Sequence, residues 1–91
     1  ANSSLGIYTT ISNSSGALYL ETGNAVAGNS GDINIQTGSA SGTRGTIRMD
    51  ALYAVAPKAS SAPTGEAGAI YYDTTTNKLR CHNGSTWNDL F

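Results

Sequence analysis

Cys81 and His82 stand side by side, and the chain contains one cysteine and one histidine in all. A zinc-type centre needs three or four ligands at suitable spacing, so this pair alone does not build one. Around a threefold axis the His82 rings of several copies would meet, and Cys81 would offer an intersubunit disulfide. The plainer expectation is a packed Cys81 and an exposed His82. A disulfide framework within the chain is excluded. Nucleophilic catalysis needs an activated Ser or Cys beside a base, and His82 is the sole imidazole. The chain has no Gly-x-Ser-x-Gly elbow and no glycine-rich phosphate loop with its lysine. The six carboxylates are Glu21, Asp32, Asp50, Glu66, Asp73 and Asp89, and no two form a recognisable acid–base pair. Asp32, Asp73 and Asp89 suit turn hydrogen bonding or solvation. These residues predict a protein that is not an enzyme and that carries no catalytic residue, metal or cofactor.

Binding chemistry is equally sparse. Five cations against six anions leave a formal charge of −1 with no basic stripe, which argues against nucleic acid as a partner. No apolar run reaches the ~18 residues that would cross a membrane as a helix. The stretch Ala1–Leu5 lacks the basic and apolar segments of a signal peptide. A small first residue fits removal of an initiator methionine, which would make this a whole gene product. Three Asn-x-Ser triplets, at Asn2, Asn13 and Asn83, are expected by chance in a chain so rich in Asn and Ser. Tyr71, Tyr72, Trp87 and Phe91 would suit a sugar-binding surface, but packing among strands accounts for them more simply.

The elements that carry these residues are short strands and turns. Glycine is abundant, Ser, Thr and Asn dominate the polar positions, and charged residues make up only 12%. A repeat organises the first half. Ser15-Gly16-Ala17-Leu18-Tyr19-Leu20-Glu21-Thr22-Gly23 is echoed by Ser30-Gly31-Asp32-Ile33-Asn34-Ile35-Gln36-Thr37-Gly38, and again by Gly45-Thr46-Ile47-Arg48-Met49. Leu18/Leu20, Ile33/Ile35 and Ile47/Met49 are each two apart, so each pair shares one side of a strand. Tyr19, Asn34 and Arg48 point the other way. The links 24–29 and 39–44 carry almost no large apolar residue, so neither supplies a second wall for a core. Arg44 is expected on an exposed bend, in reach of a neighbouring subunit. Gly6–Ile11 suggests a leading strand.

Each chain thus owns a narrow apolar ribbon. Leu, Ile, Val and Phe together number 15 of 91 residues, too few for a chain of this size to enclose itself comfortably. Stacking on its own repeats would give a solenoid with two unprotected ends. Association of identical chains, most simply around a threefold axis, would bury the ribbons together and pair the strand edges. Leu18, Leu20, Ile33, Ile35, Ile47 and Met49 are the expected oligomer core.

Residues 51–66, with Pro57, Pro63 and many Ala and Ser, read as an extended linker. Residues 67–91 read as a small three-stranded β-meander. Ala69–Asp73 is rich in strand formers, Thr74–Asn77 is a turn, Lys78–His82 alternates, and Asn83-Gly84 signals a tight hairpin into Ser85–Asp89. Ile70, Tyr72, Leu79, Cys81 and Trp87 are the expected packed face. The predicted fold class is all-β: a short-strand repeat module over 1–50, β-solenoid-like or interwoven in a trimer, followed by the linker and the meander.

The stretch Gly68-Ala69-Ile70-Tyr71-Tyr72-Asp73-Thr74-Thr75-Thr76-Asn77-Lys78-Leu79-Arg80, followed by Asn83-Gly84-Ser85-Thr86-Trp87, resembles a module of bacteriophage tail-fibre and other virion surface proteins. The pattern at Ser30–Gly42 is similar to shaft repeats of the same proteins. The resemblance implies a trimeric, non-enzymatic structural protein displayed on the virion surface. Its partners would be copies of itself and other virion proteins, such as the major capsid protein or tail proteins. A chain this short suits a capsid decoration or cement protein or a head fibre. A short tail fibre or tail tip touching a host receptor or surface glycan is the alternative.

Overall fold

The computed structural model describes residues 4–91, and the N-terminal triplet that starts at Asn2 lies partly outside the described residues. The chain is all-β, with no helix among the described residues. It divides into two units, Ala1–Ile47 and Arg48–Phe91.

The second unit holds a four-stranded, open, mixed sheet in the order β1-β2-β3-β4. Its strands are β1 (Lys58–Ala59), β2 (Ile70–Asp73), β3 (Lys78–His82) and β4 (Trp87–Asp89). β2 runs antiparallel to β3 with Tyr71 opposite Arg80, and β3 runs antiparallel to β4 with His82 opposite Trp87. The two connecting loops share one device. Asp73 Oδ1 accepts hydrogen bonds from the Thr75 and Thr76 amides at 2.9 and 3.3 Å, and Asn83 Oδ1 accepts from the Ser85 and Thr86 amides, both at 2.9 Å. Each side chain stands in for a missing strand partner and fixes a four-residue loop. Asn77 closes the first loop at φ 58°, a left-handed conformation that Asn tolerates.

The Asn83-Gly84 signal points to a two-residue turn with positive φ at both positions, and the structure corrects this. Only Gly84 takes positive φ, at 100°. The Asn83 amide donates to the Thr86 carbonyl at 3.1 Å, and pairing resumes at Trp87. The two bonds to Asn83 Oδ1 stabilise the longer loop.

The stretch 51–66 is extended, but it is not free of the sheet. β1 pairs parallel to β2, with Lys58 opposite Tyr72. The Tyr72 amide donates to the Pro57 carbonyl at 2.7 Å and the Thr74 amide to the Ala59 carbonyl at 2.9 Å. The Thr75 hydroxyl adds a bond to the Ser60 carbonyl at 2.7 Å. Small residues let this arm lie close to β2, and Pro57 contributes only its carbonyl, the one ladder group proline keeps.

The first unit is built differently. Residues 4–47 form extended segments broken by bends at 12–14, 26–28 and 41–42. No strand pairing and no backbone–backbone hydrogen bond joins described residues within 4–56. The contacts that do occur follow the repeat. The Thr22 hydroxyl donates to the Gly31 carbonyl at 3.1 Å, and the Thr9 hydroxyl to the Gly16 carbonyl at 3.4 Å. Arg44 Nη2 donates to the Thr37 carbonyl at 2.7 Å, while the methyl of Thr37 lies over Gly45. A threonine closing one segment thus meets the glycine opening the next.

Candidate functional site

Pairing register assigns the side chains of the sheet to two faces, because residues directly opposite each other in an antiparallel pair share a side. Tyr71, Asp73, Arg80, His82, Trp87 and Asp89 lie on one face, and Ile70, Tyr72, Leu79, Cys81 and Asn88 on the other. The buried residues are all on the first face: Tyr71, Asp73 and His82. The cause is the arm. Trp87 Nε1 donates to the Pro63 carbonyl at 3.0 Å, and Gly65 sits so close that a Cβ there would meet His82 Cδ2 at 2.6 Å and Trp87 Cζ2 at 2.7 Å. Tyr71 and Trp87 meet edge to face with centroids 4.6 Å apart, and His82 and Trp87 at 5.0 Å. This arrangement corrects the expectation of an exposed His82: its ring is covered by Gly65 and Trp87, while the adjacent Cys81 is half-buried on the opposite face.

Arg80 spans the centre of the covered face. Nη1 donates to the Tyr71 hydroxyl and Nη2 to the Trp87 carbonyl, both at 3.2 Å. Nε lies 3.0 Å from Asp89 Oδ1 but off the N–H axis, so that contact is one of charge rather than a hydrogen bond. Hydrogen bonding to Tyr71 and the nearby carboxylates favour the charged guanidinium and raise its pKa. Asp73 is held below the ordinary carboxylate range, first by the Thr75 amide and further by Thr76 and the Arg80 charge. These groups are turned toward one another. No pocket opens beside them, and no cluster of three or more His, Cys, Asp or Glu is placed to hold a metal among the described residues.

Of the five side chains expected to pack together, Ile70, Tyr72, Leu79 and Cys81 share a face, and Trp87 stands on the other. Ile70 is 51% exposed and the next three are half-buried. Along the repeats, Leu18, Leu20, Ile33, Ile35 and Ile47 of the first unit and Met49, just past its end, are between 49% and 79% exposed. These six residues lie on extended backbone that has no internal backbone partner, which makes the repeat segment the candidate interaction surface. Spacing did not reveal the Arg80 network, although a signal for its frame exists. Asp73 precedes Thr75 and Thr76 just as Asn83 precedes Ser85 and Thr86, and that spacing suits side-chain capping of both loops.

No protein family, curated protein or solved structure matches this chain.

Proposed function

We propose that this protein is a non-enzymatic structural component of a bacteriophage virion surface, a homotrimer that decorates or cements the capsid or forms a head fibre. One observation carries the reading: residues 4–56 combine exposed apolar pairs with a backbone that makes no hydrogen bonds to itself. Backbone amides and carbonyls buried without partners are costly, and isolated extended segments do not persist in water. Identical chains meet both needs at once. Each ribbon repeats at spacings of 15 and 14 residues between Gly16, Gly31 and Gly45, so copies in register set apolar pair against apolar pair. The resemblance of the repeats and of residues 68–87 to virion proteins supplies the biological setting. A receptor-contacting tail tip is the weaker reading, because Tyr71 and Trp87 are engaged with each other and with the arm rather than offered to a sugar.

Sedimentation combined with amide exchange on the full chain tests the proposal. Trimers should form, and amides of residues 16–49 should be protected in the trimer and exchange freely in the dilute monomer. A compact monomer with those amides already protected would refute it. In a particle density map, copies in the hundreds would indicate the capsid and a handful the tail.

A further inference from the structure

We infer that Asn83 is a self-modification site, at which the loop itself promotes loss of the side-chain amide through a succinimide. Succinimide formation joins the backbone nitrogen of the following residue to the asparagine Cγ. It needs an unhindered nitrogen, a base to take that nitrogen's proton, and donors to stabilise the charge that develops on Oδ1. All three converge here. Asn83 is the only asparagine in the chain followed by glycine, so no side chain shields the attacking nitrogen. The Gly84 amide donates to His82 Nδ1 at 3.0 Å, which places an imidazole lone pair on the proton that must leave. Asn83 Oδ1 already accepts the Ser85 and Thr86 amides, both at 2.9 Å, the arrangement of an oxyanion hole.

The base is held in place. His82 is buried, its ring lies edge-on to Trp87, and Gly65 closes over Cδ2. The reacting side chain, by contrast, is exposed, so water reaches it and ammonia leaves freely.

In the first step the Gly84 N–Asn83 Cγ bond forms, the Gly84 proton passes to His82 Nδ1, and Oδ1 takes the negative charge. Collapse breaks the Cγ–Nδ2 bond, and Nδ2 departs as ammonia with the proton returned from His82. Water then opens the ring at either carbonyl, giving aspartate or isoaspartate at this position. The aspartate product keeps an acceptor for the Ser85 and Thr86 amides and gains a charge. The isoaspartate product lengthens the backbone within the four-residue loop.

The test is a time course on the full-length protein, incubated in parallel in native buffer and in concentrated urea. Peptide mapping would quantify aspartate and isoaspartate at residues 83, 77 and 88. Native protein should convert at Asn83 about a hundredfold faster than the unfolded chain, the modest end of what a placed base contributes. Asn77 and Asn88 should show no such gain. H82N should lower the native rate to that of the unfolded chain, with Trp87 emission checking that the sheet is intact. An equal or slower rate in the native wild-type protein would overturn the inference, and that comparison stands even if H82N fails to fold. A native H82N protein that converts as fast as wild type would overturn it too.

Discussion

Gly65→Ala probes the contact that buries one face of the sheet. The new methyl group would lie 2.6 Å from His82 Cδ2 and 2.7 Å from Trp87 Cζ2, closer than carbon atoms approach without displacement. Neither ring yields easily, since His82 is tied to Gly84 and Trp87 meets Tyr71 edge to face. The arm must therefore lift. Overpacking of this kind costs about 1–3 kcal/mol. Loss of the indole bond to the Pro63 carbonyl adds about 0.5–1.5 kcal/mol. Reduced freedom of the unfolded chain returns about 0.4–1 kcal/mol. The net destabilisation centres near 2 kcal/mol, a large share of what a small sheet has available. Trp87 is the only tryptophan, so urea unfolding followed by its fluorescence reports on this unit directly. With a slope of about 1 kcal/mol per molar urea, the midpoint should fall by about 2 M. A midpoint unchanged or raised would show that the arm does not lie against the two rings.

Two further perturbations address the loops. The lowered pKa of Asp73 means that the unfolded state binds more protons than the folded state over the interval below the ordinary aspartate value of about 3.9. Its contribution is thus fully present above that value and is lost as pH falls through the depressed folded pKa. Asp73→Asn should flatten this part of a stability-versus-pH curve, and an unaltered acid limb would contradict the role given to the Thr75 and Thr76 amides. At Asn77, φ 58° admits glycine without strain and penalises a β-branched residue. The Asn77→Val protein should be less stable than Asn77→Gly by about 1–2 kcal/mol in urea unfolding, and equal stability would exclude the left-handed conformation.

The strand-rich segments 69–73 and 78–82 fall on β2 and β3 because side-chain alternation and flanking turn residues are local signals. The start of β4 at Trp87 was less legible: two amides captured by Asn83 lengthen the loop, and hydrophobic patterning is blind to such bonds. The side of the sheet that becomes buried was not legible at all. Ile70, Tyr72, Leu79 and Cys81 are the more apolar set, yet Tyr71, Asp73 and His82 are the residues enclosed. What decides this is a non-local event, the return of residues 57–68 across that face, and its sequence record is a few small residues and two prolines. Arg80 and Asp73 tolerate enclosure because Arg80 meets Tyr71 across the ladder and Asp73 caps the Thr75 and Thr76 amides of its own loop, facts that composition does not record. In the first unit, the two-residue spacing of Ile33/Ile35 and its equivalents describes extended backbone, which the structure contains without strands. Pairing requires a neighbour, and one chain's sequence does not say where that neighbour lies.

The parallel attachment of β1 has a mechanical consequence. Tension applied to the chain ahead of Pro57 reaches the sheet through a two-residue strand and a few bonds to Tyr72, Thr74 and Thr75, before it reaches the antiparallel ladders. The arm would peel first and release residues 57–68 as slack. Fully extended, those residues span about 40 Å, enough to absorb a sudden pull while β2, β3 and β4 stay joined.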